Sequence, residues 1–174
     1  MDSLVPLYKS MSETETGNFL GLSILNHTKE IGHLIKEVEA RTVLDYGCGR
    51  GEAYRSPHKI HHQWGLKRSQ VTLYDPAFHH APPPVGQFDL VVCSDVLEHI
   101  PEEEVDAFIA RIFGHARKAV WASVCCRPAK KVFPGTETNL HVTIKPYEWW
   151  SAKFDAAMSN IPDRVLEWHL VETP

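Results

Sequence analysis

The chain is poor in several features that would narrow its role quickly. It holds four cysteines, Cys48, Cys93, Cys125 and Cys126, and no two of them stand in a Cys-x-x-Cys spacing. That spacing pattern argues against a zinc ribbon, a dithiol redox motif or a disulfide framework. Three of them fall in or beside apolar runs, where cysteine packs as a small hydrophobe. No apolar run approaches the roughly 20 residues that span a bilayer. The opening "MDSLVPLYKSMSETETGNF" is too polar for a signal peptide, so the expected compartment is the cytoplasm. Positive charge is not in excess: 18 Lys+Arg face 22 Asp+Glu, a net charge of -4. That balance argues against a general nucleic-acid binder. No internal repeat and no long linker interrupts the 174 residues, enough for one domain with a real core.

What is present is an alternation of strand and helix patterns. Residues 1–17 read as an irregular leader, and residues 18–174 as one domain. Ile31, Leu34, Ile35 and Val38 recur at helical spacing. "RTVLDY" follows as a short buried strand, and a helix is expected over part of residues 52–63. "SQVTLYD", "FDLVVCSD", "KAVWASVCC" and "RVLEWHLVE" read as further strands. Between them, Pro101 opens a helix striped by Val105, Phe108, Ile109 and Ile112, and Pro146 opens another through about Met158. This order predicts an α/β fold: a Rossmann-like, doubly wound, mostly parallel sheet with helices on both faces. Ligands of such folds bind beyond the carboxyl ends of the strands, where the strand order reverses.

The most pointed stretch lies at such an end. In "VLDYGCGRGEAY", Gly47, Gly49 and Gly51 follow the first strand at alternate positions. Glycine admits positive φ and close approach of a ligand to the backbone. A dinucleotide fingerprint needs a third glycine where Glu52 stands, and no Gly-Lys-Ser/Thr follows for a phosphate-binding P-loop. Asp75 closes the second strand, placed to accept hydrogen bonds from ribose hydroxyls. The pattern reads as a site for a nucleoside that is not NAD.

"VLDYGCGRG", then "VTLYDPA", then "FDLVVCSDVLEHIPEEEVDAFIARI" resembles the class I S-adenosylmethionine-dependent methyltransferases, in order, over roughly residues 40–160. The resemblance implies S-adenosylmethionine as cofactor and S-adenosylhomocysteine as product. It implies a cofactor site built from Asp45, Tyr46, Gly47, Cys48, Gly49, Asp75, Pro76, Ser94, Asp95, Val96 and Leu97. Within it the carboxylate at Asp45 helps to hold the cofactor's amino group, and Asp75 takes the ribose. One departure stands out. Between Asp75 and Asp89 the family usually fits a helix and a third strand, and here the chain reads "PAFHHAPPPVGQF". Three consecutive prolines cannot sit in a helix interior or a central strand. The third strand and its helix are therefore expected to be missing, with a proline-stiffened loop and Phe78 beside the adenine.

The cofactor brings an activated methyl group, so the protein must mainly hold an acceptor in line with it. An acceptor that loses a proton also needs a base. His99 in "DVLEHIP" and His141 in "NLHVTIK" are the candidates, with Asp95 and Glu98 as weaker alternatives. "HKIHH" and "FHH" group histidines but offer no suitably spaced carboxylate or cysteine, so no metal site is expected. Arg127, Lys130, Lys131 and Lys145 concentrate positive charge after a strand end, which suits a carboxylate or phosphate on the acceptor. The expected activity is methyl transfer to O or N of a small, possibly anionic, metabolite. "SDVL" stands where methylation of nucleobase amines commonly uses a [DNS]-P-P-[YFW] motif, which argues against a nucleic-acid acceptor. Transfer of the cofactor's aminocarboxypropyl group, and a cofactor-binding partner subunit without catalysis, remain open alternatives.

Overall fold

The computed structural model describes residues 4–14, 18–78, 83–161 and 166–174. Five strands, β1 Val43–Tyr46, β2 Val71–Tyr74, β3 Phe88–Ser94, β4 Ala116–Cys125 and β5 Glu167–Thr173, form one sheet in the order β2-β1-β3-β4-β5. Every pairing between neighbours is parallel. Five α-helices accompany them: α1 Val5–Thr14, α2 Thr28–Glu37, α3 Ile60–Gln63, α4 Val105–His115 and α5 Tyr147–Ser159.

Both faces of the sheet are buried, which is why the strands read as nearly continuous apolar runs. Leu44, Tyr46, Val91, Cys93, Val120, Ala122 and Val124 face α4 and α5, whose Phe108, Ile112, Trp150 and Phe154 close that core. The alternate residues Val43, Leu90, Val92, Ala119 and Trp121 face α2 and α3, meeting Ile31, Leu34, Ile35 and Ile60. The period-two alternation of strands thus sorts one sequence into two cores.

The shortened sheet is as expected. β2 is an edge strand, and among the described residues of the 75–87 connection there is no helix or strand. His79 and His80 lie outside the described residues. Two expectations need correction. The leader read as irregular contains α1; its Tyr8 and Met11, three apart on one face, pack on Phe133 and Leu140. A hydrophobic anchor on another part of the chain, rather than strong local propensity, holds that helix. The single helix expected over residues 52–63 is instead a 3-10 turn, Glu52–Tyr54, and the one-turn α3, because Pro57 falls between them. Among the described residues no helix is long and apolar enough to cross a membrane.

Candidate functional site

The chain order reverses between β1 and β3, since β2 returns to one side of β1 and β3 to the other. A cavity of about 360 Å³ opens there, at the carboxyl ends of β1, β2 and β3. That volume lies within the range of small-molecule pockets, roughly 300–1,000 Å³. Its wall combines Gly47 and Gly49 from the glycine turn, Asp75, Pro76 and Phe78 after β2, and Ser94, Asp95, Val96 and His99 after β3. Val5 and Tyr8 of α1 and residues 19–23 close it from the amino-terminal side.

The turn is held together by its own chain. Gly47 and Gly49 have φ of 93° and 56°. A Cβ on Gly49 would stand 2.3 Å from the Phe19 carbonyl oxygen, and one on Gly47 would stand 2.4 Å from Val96. The Phe19 and Leu20 carbonyls accept the backbone N–H groups of Arg50 and Glu52. So the glycines serve a close approach of residues 19–21 and Val96 to the turn, as well as forming the cavity floor. Asp75 links this floor to the end of β2: one carboxylate oxygen accepts the Gly49 N–H at 3.0 Å, the other the Ala77 N–H at 2.9 Å. Phe19 and Phe78 stand 5.6 Å apart on the wall, and the Arg50 guanidinium lies over the Phe78 ring.

Not every expected residue reaches the cavity. Asp45, Tyr46, Cys48 and Leu97 are buried beneath it. Tyr46 packs against Tyr74 and Phe108, and Leu97 belongs to the α4–α5 core. Asp45 accepts the Tyr54 hydroxyl at 2.9 Å. Burial pushes its carboxyl up to about 7, the Tyr54 bond opposes that rise, and neighbouring Asp75 adds to it. Asp95 does line the cavity, in the left-handed region at φ 52°. Hydroxyls of Ser123 and Thr173 donate to its carboxylate at 2.8 and 3.1 Å, and Ser123 also accepts its backbone N–H.

Beside the cavity, where His99 lines its wall, three side chains converge. One ligand atom each from Glu98, His99 and His141 lie within 4.8 Å of one another. Glu98 and His99 belong to a 3-10 turn, Leu97–His99. His141 arrives on the loop after β4, which is tied back by the Thr143 N–H to the Glu98 carbonyl and by the Thr143 hydroxyl to the Ile100 carbonyl. His99 Nδ1 lies 2.9 Å from the Leu140 carbonyl, and His141 Nδ1 lies 2.5 Å from the Arg127 carbonyl. A carbonyl can only accept, so each Nδ1 carries a proton and donates it to the backbone. Glu98 Oε1 accepts the Cys125 N–H, while Oε2 is buried with no hydrogen-bond partner. Burial first, then Asp95, raises the Glu98 carboxyl to about 8. Burial and His141 lower His99 to about 4, so its ring is neutral at ordinary pH. The expectation of no metal site looked to "HKIHH" and "FHH"; this convergent group lies elsewhere, and its imidazole and carboxyl donors are of kinds that could hold a metal ion.

Sequence reasoning named His99 and His141, with Glu98 as a weaker alternative, but not their convergence, and it did not single out Tyr8. The Tyr8 hydroxyl stands 3.0 Å from both His99 Nδ1 and the Leu140 carbonyl. Burial, helped by Glu98, keeps its proton on. No motif marks Tyr8 in the sequence.

A family model described as "Methyltransferase domain" matches residues 25–168. The chain is also similar to a small RNA 2'-O-methyltransferase of Gallus gallus, 30% identical over 95 residues. That match covers 54% of this chain and 25% of the relative, so the chain corresponds to about a quarter of the relative's length. A parallel sheet, a glycine turn and a strand-end aspartate at its switch point, and a family match across most of the chain agree: the protein belongs to the methyltransferase-domain family, that of the class I S-adenosylmethionine-dependent methyltransferases.

Proposed function

We propose that the protein methylates a hydroxyl oxygen, a ribose 2'-hydroxyl of RNA, with a divalent cation held by Glu98, His99 and His141. The observation that carries this reading is the convergence of those three side chains beside the cavity, where His99 and His141 each turn Nδ1 to a backbone carbonyl and one buried Glu98 oxygen has no hydrogen-bond partner. A hydroxyl is a poor nucleophile until its proton leaves, and a divalent cation lowers the pKa of an oxygen brought to it. His99, lowered to about 4, is a weak base at neutral pH and a good neutral ligand. Oxygen is thereby favoured over nitrogen. The choice of RNA rests on the similar protein from Gallus gallus, and it replaces the small metabolite expected from net charge. Net charge is a property of the whole surface, and exposed Arg127 and Lys130 flank the loop that carries His141.

The cofactor's place in this reading is the cavity beside the cation ligands. S-adenosylmethionine supplies the activated methyl group when bound. Asp75 suits the ribose by its place on the cavity wall at the end of β2, where the Gly49 and Ala77 N–H groups hold its carboxylate in position. Gly47, Gly49, Ser94, Asp95 and Val96 line the remaining wall, Asp45 acts from below the turn, and Phe19 and Phe78 offer apolar faces for the base.

The test is methyl transfer from labelled cofactor to short RNA after chelation. Activity should vanish on chelation and return with Mn²⁺ or Mg²⁺, and RNA already 2'-O-methylated throughout should not accept. Full activity in chelator, with no cation bound in a calorimetric titration, would sink the cation. Labelling of the fully 2'-O-methylated RNA would move the acceptor away from the ribose.

A further inference from the structure

The matched family domain begins at residue 25, yet part of the cavity wall comes from residues before it. α1 crosses to the β3 side of the cleft and docks on the loop that carries His141, with Met11 buried against Phe133 and Leu140. From this helix Tyr8 enters between the cavity and His99. Its ring meets His99 edge-on at 5.5 Å, Phe19 edge-on at 5.6 Å and Phe133 at 5.2 Å. Its hydroxyl closes a triangle with His99 Nδ1 and the Leu140 carbonyl, whose three sides are 3.0, 3.0 and 2.9 Å.

We propose that Tyr8 is a positioning residue for His99: α1 carries the hydroxyl that fixes the imidazole so that Nε2 points to the Glu98–His141 group, and the same side chain contacts whatever fills the cavity. The orientation of hydrogen bonds follows from the donors available. The Leu140 carbonyl accepts, so Nδ1–H must donate to it. The Tyr8 O–H donates to the same carbonyl, using its second lone pair, and the phenolic oxygen accepts a share of the Nδ1 proton. The carbonyl is thereby held from two sides, and the ring cannot rotate without breaking both bonds. Loss of such an outer partner of a metal-binding histidine typically weakens binding 10- to 100-fold. Because Tyr8 also lines the cavity, it joins the cofactor end of the cleft to the His99 end through one rigid side chain. The inference rests on the cation reading only for its affinity arm; the state of the His99 ring can be read without any metal.

The experiment uses the full chain and Tyr8→Phe, which keeps the ring packing and removes only the hydroxyl. Side-chain ¹⁵N spectra of the metal-free protein should show His99 as the Nδ1–H form, with His99→Gln supplying the assignment. In Tyr8→Phe the Leu140 carbonyl still holds the Nδ1 proton, so the tautomer should persist while its signals broaden and move as the ring gains freedom, and S-adenosylhomocysteine affinity stays within twofold. Mn²⁺ affinity should fall about tenfold. Tyr8→Ala should lose affinity for both ligands, and Tyr8→Phe should rescue the cofactor alone. An unchanged His99 signature in Tyr8→Phe overturns the proposal, whatever the cation affinity does. A changed signature in a protein whose wild type binds no cation leaves the role of Tyr8 standing and removes the cation reading instead.

Discussion

At the glycine-turn end of the cleft the carboxylates are already engaged by the chain itself. Asp75 holds two backbone N–H groups, and Asp45 holds the Tyr54 hydroxyl. At the β3–β4 end, Glu98 keeps one buried oxygen without a partner, and among the described residues no hydrogen bond reaches Nε2 of His99 or His141. A buried polar atom left unsatisfied costs roughly 1–3 kcal/mol, and a bound ion or water is one way to meet it. The first end therefore reads as a pre-formed cradle whose acids are fixed in place. The second reads as a set of ligands held open.

If the two ends have separate duties, variants should split the readouts. The largest effect is expected from His141→Ala: kcat down about a thousandfold, some 4 kcal/mol of lost stabilisation, with S-adenosylhomocysteine affinity within threefold. Steady-state kinetics beside calorimetric titration check both numbers. Asp75→Ala should do the reverse. With charge-assisted bonds worth about 1.5–3 kcal/mol each, cofactor affinity should drop about 100-fold, while Mn²⁺ still binds. If both variants damage both readouts equally, the division between the ends is broken.

A third experiment concerns Asp45 and pH. Its folded pKa of about 7 lies above the 3.8 of an ordinary aspartate. Between those values the folded state keeps a proton that the unfolded chain has released, so stability falls as pH rises from about 4 to about 7. Asp45→Asn keeps an acceptor for Tyr54 and removes the titration. Thermal melts should coincide near pH 4, and above pH 7 the variant should melt several degrees higher, since about 1 kcal/mol moves a domain of this size by 2–4 °C. Equal melting curves at every pH would show that Asp45 is not held in this environment. The smallest effect belongs to the rim. Lys145 is paired with Glu102 at 2.7 Å, but Lys130 is exposed on the His141 loop. Lys130→Glu should raise the RNA KM about three- to tenfold at low salt, less at high salt, with kcat unchanged.

The cradle was the legible half. Gly47, Gly49 and Asp75 announce themselves because a strand-to-helix turn needs positive φ, and because period-two apolar runs mark the strand ends that carry them. The prolines after Asp75 announced the missing strand for an equally local reason: proline lacks the N–H that a ladder requires. The other half was only partly visible. Glu98 and His99 are adjacent, but His141 sits on another loop, and nothing at either position encodes their distance. That distance is set by Thr143, whose backbone and hydroxyl bind the Glu98 and Ile100 carbonyls. α1 was invisible for a related cause, since "VPLYKSMSET" gains its helix from what Tyr8 and Met11 touch elsewhere.

The sequence by itself determined the alternating elements, the parallel sheet, the switch point and the glycine turn that floors the cavity, since these follow from local periodicity and backbone chemistry. Only the tertiary structure decided which histidines meet a carboxylate, which of their nitrogens stay open, and that a tyrosine from the leader stands behind His99. Those are relations between residues far apart in the chain, and only packing fixes such distances.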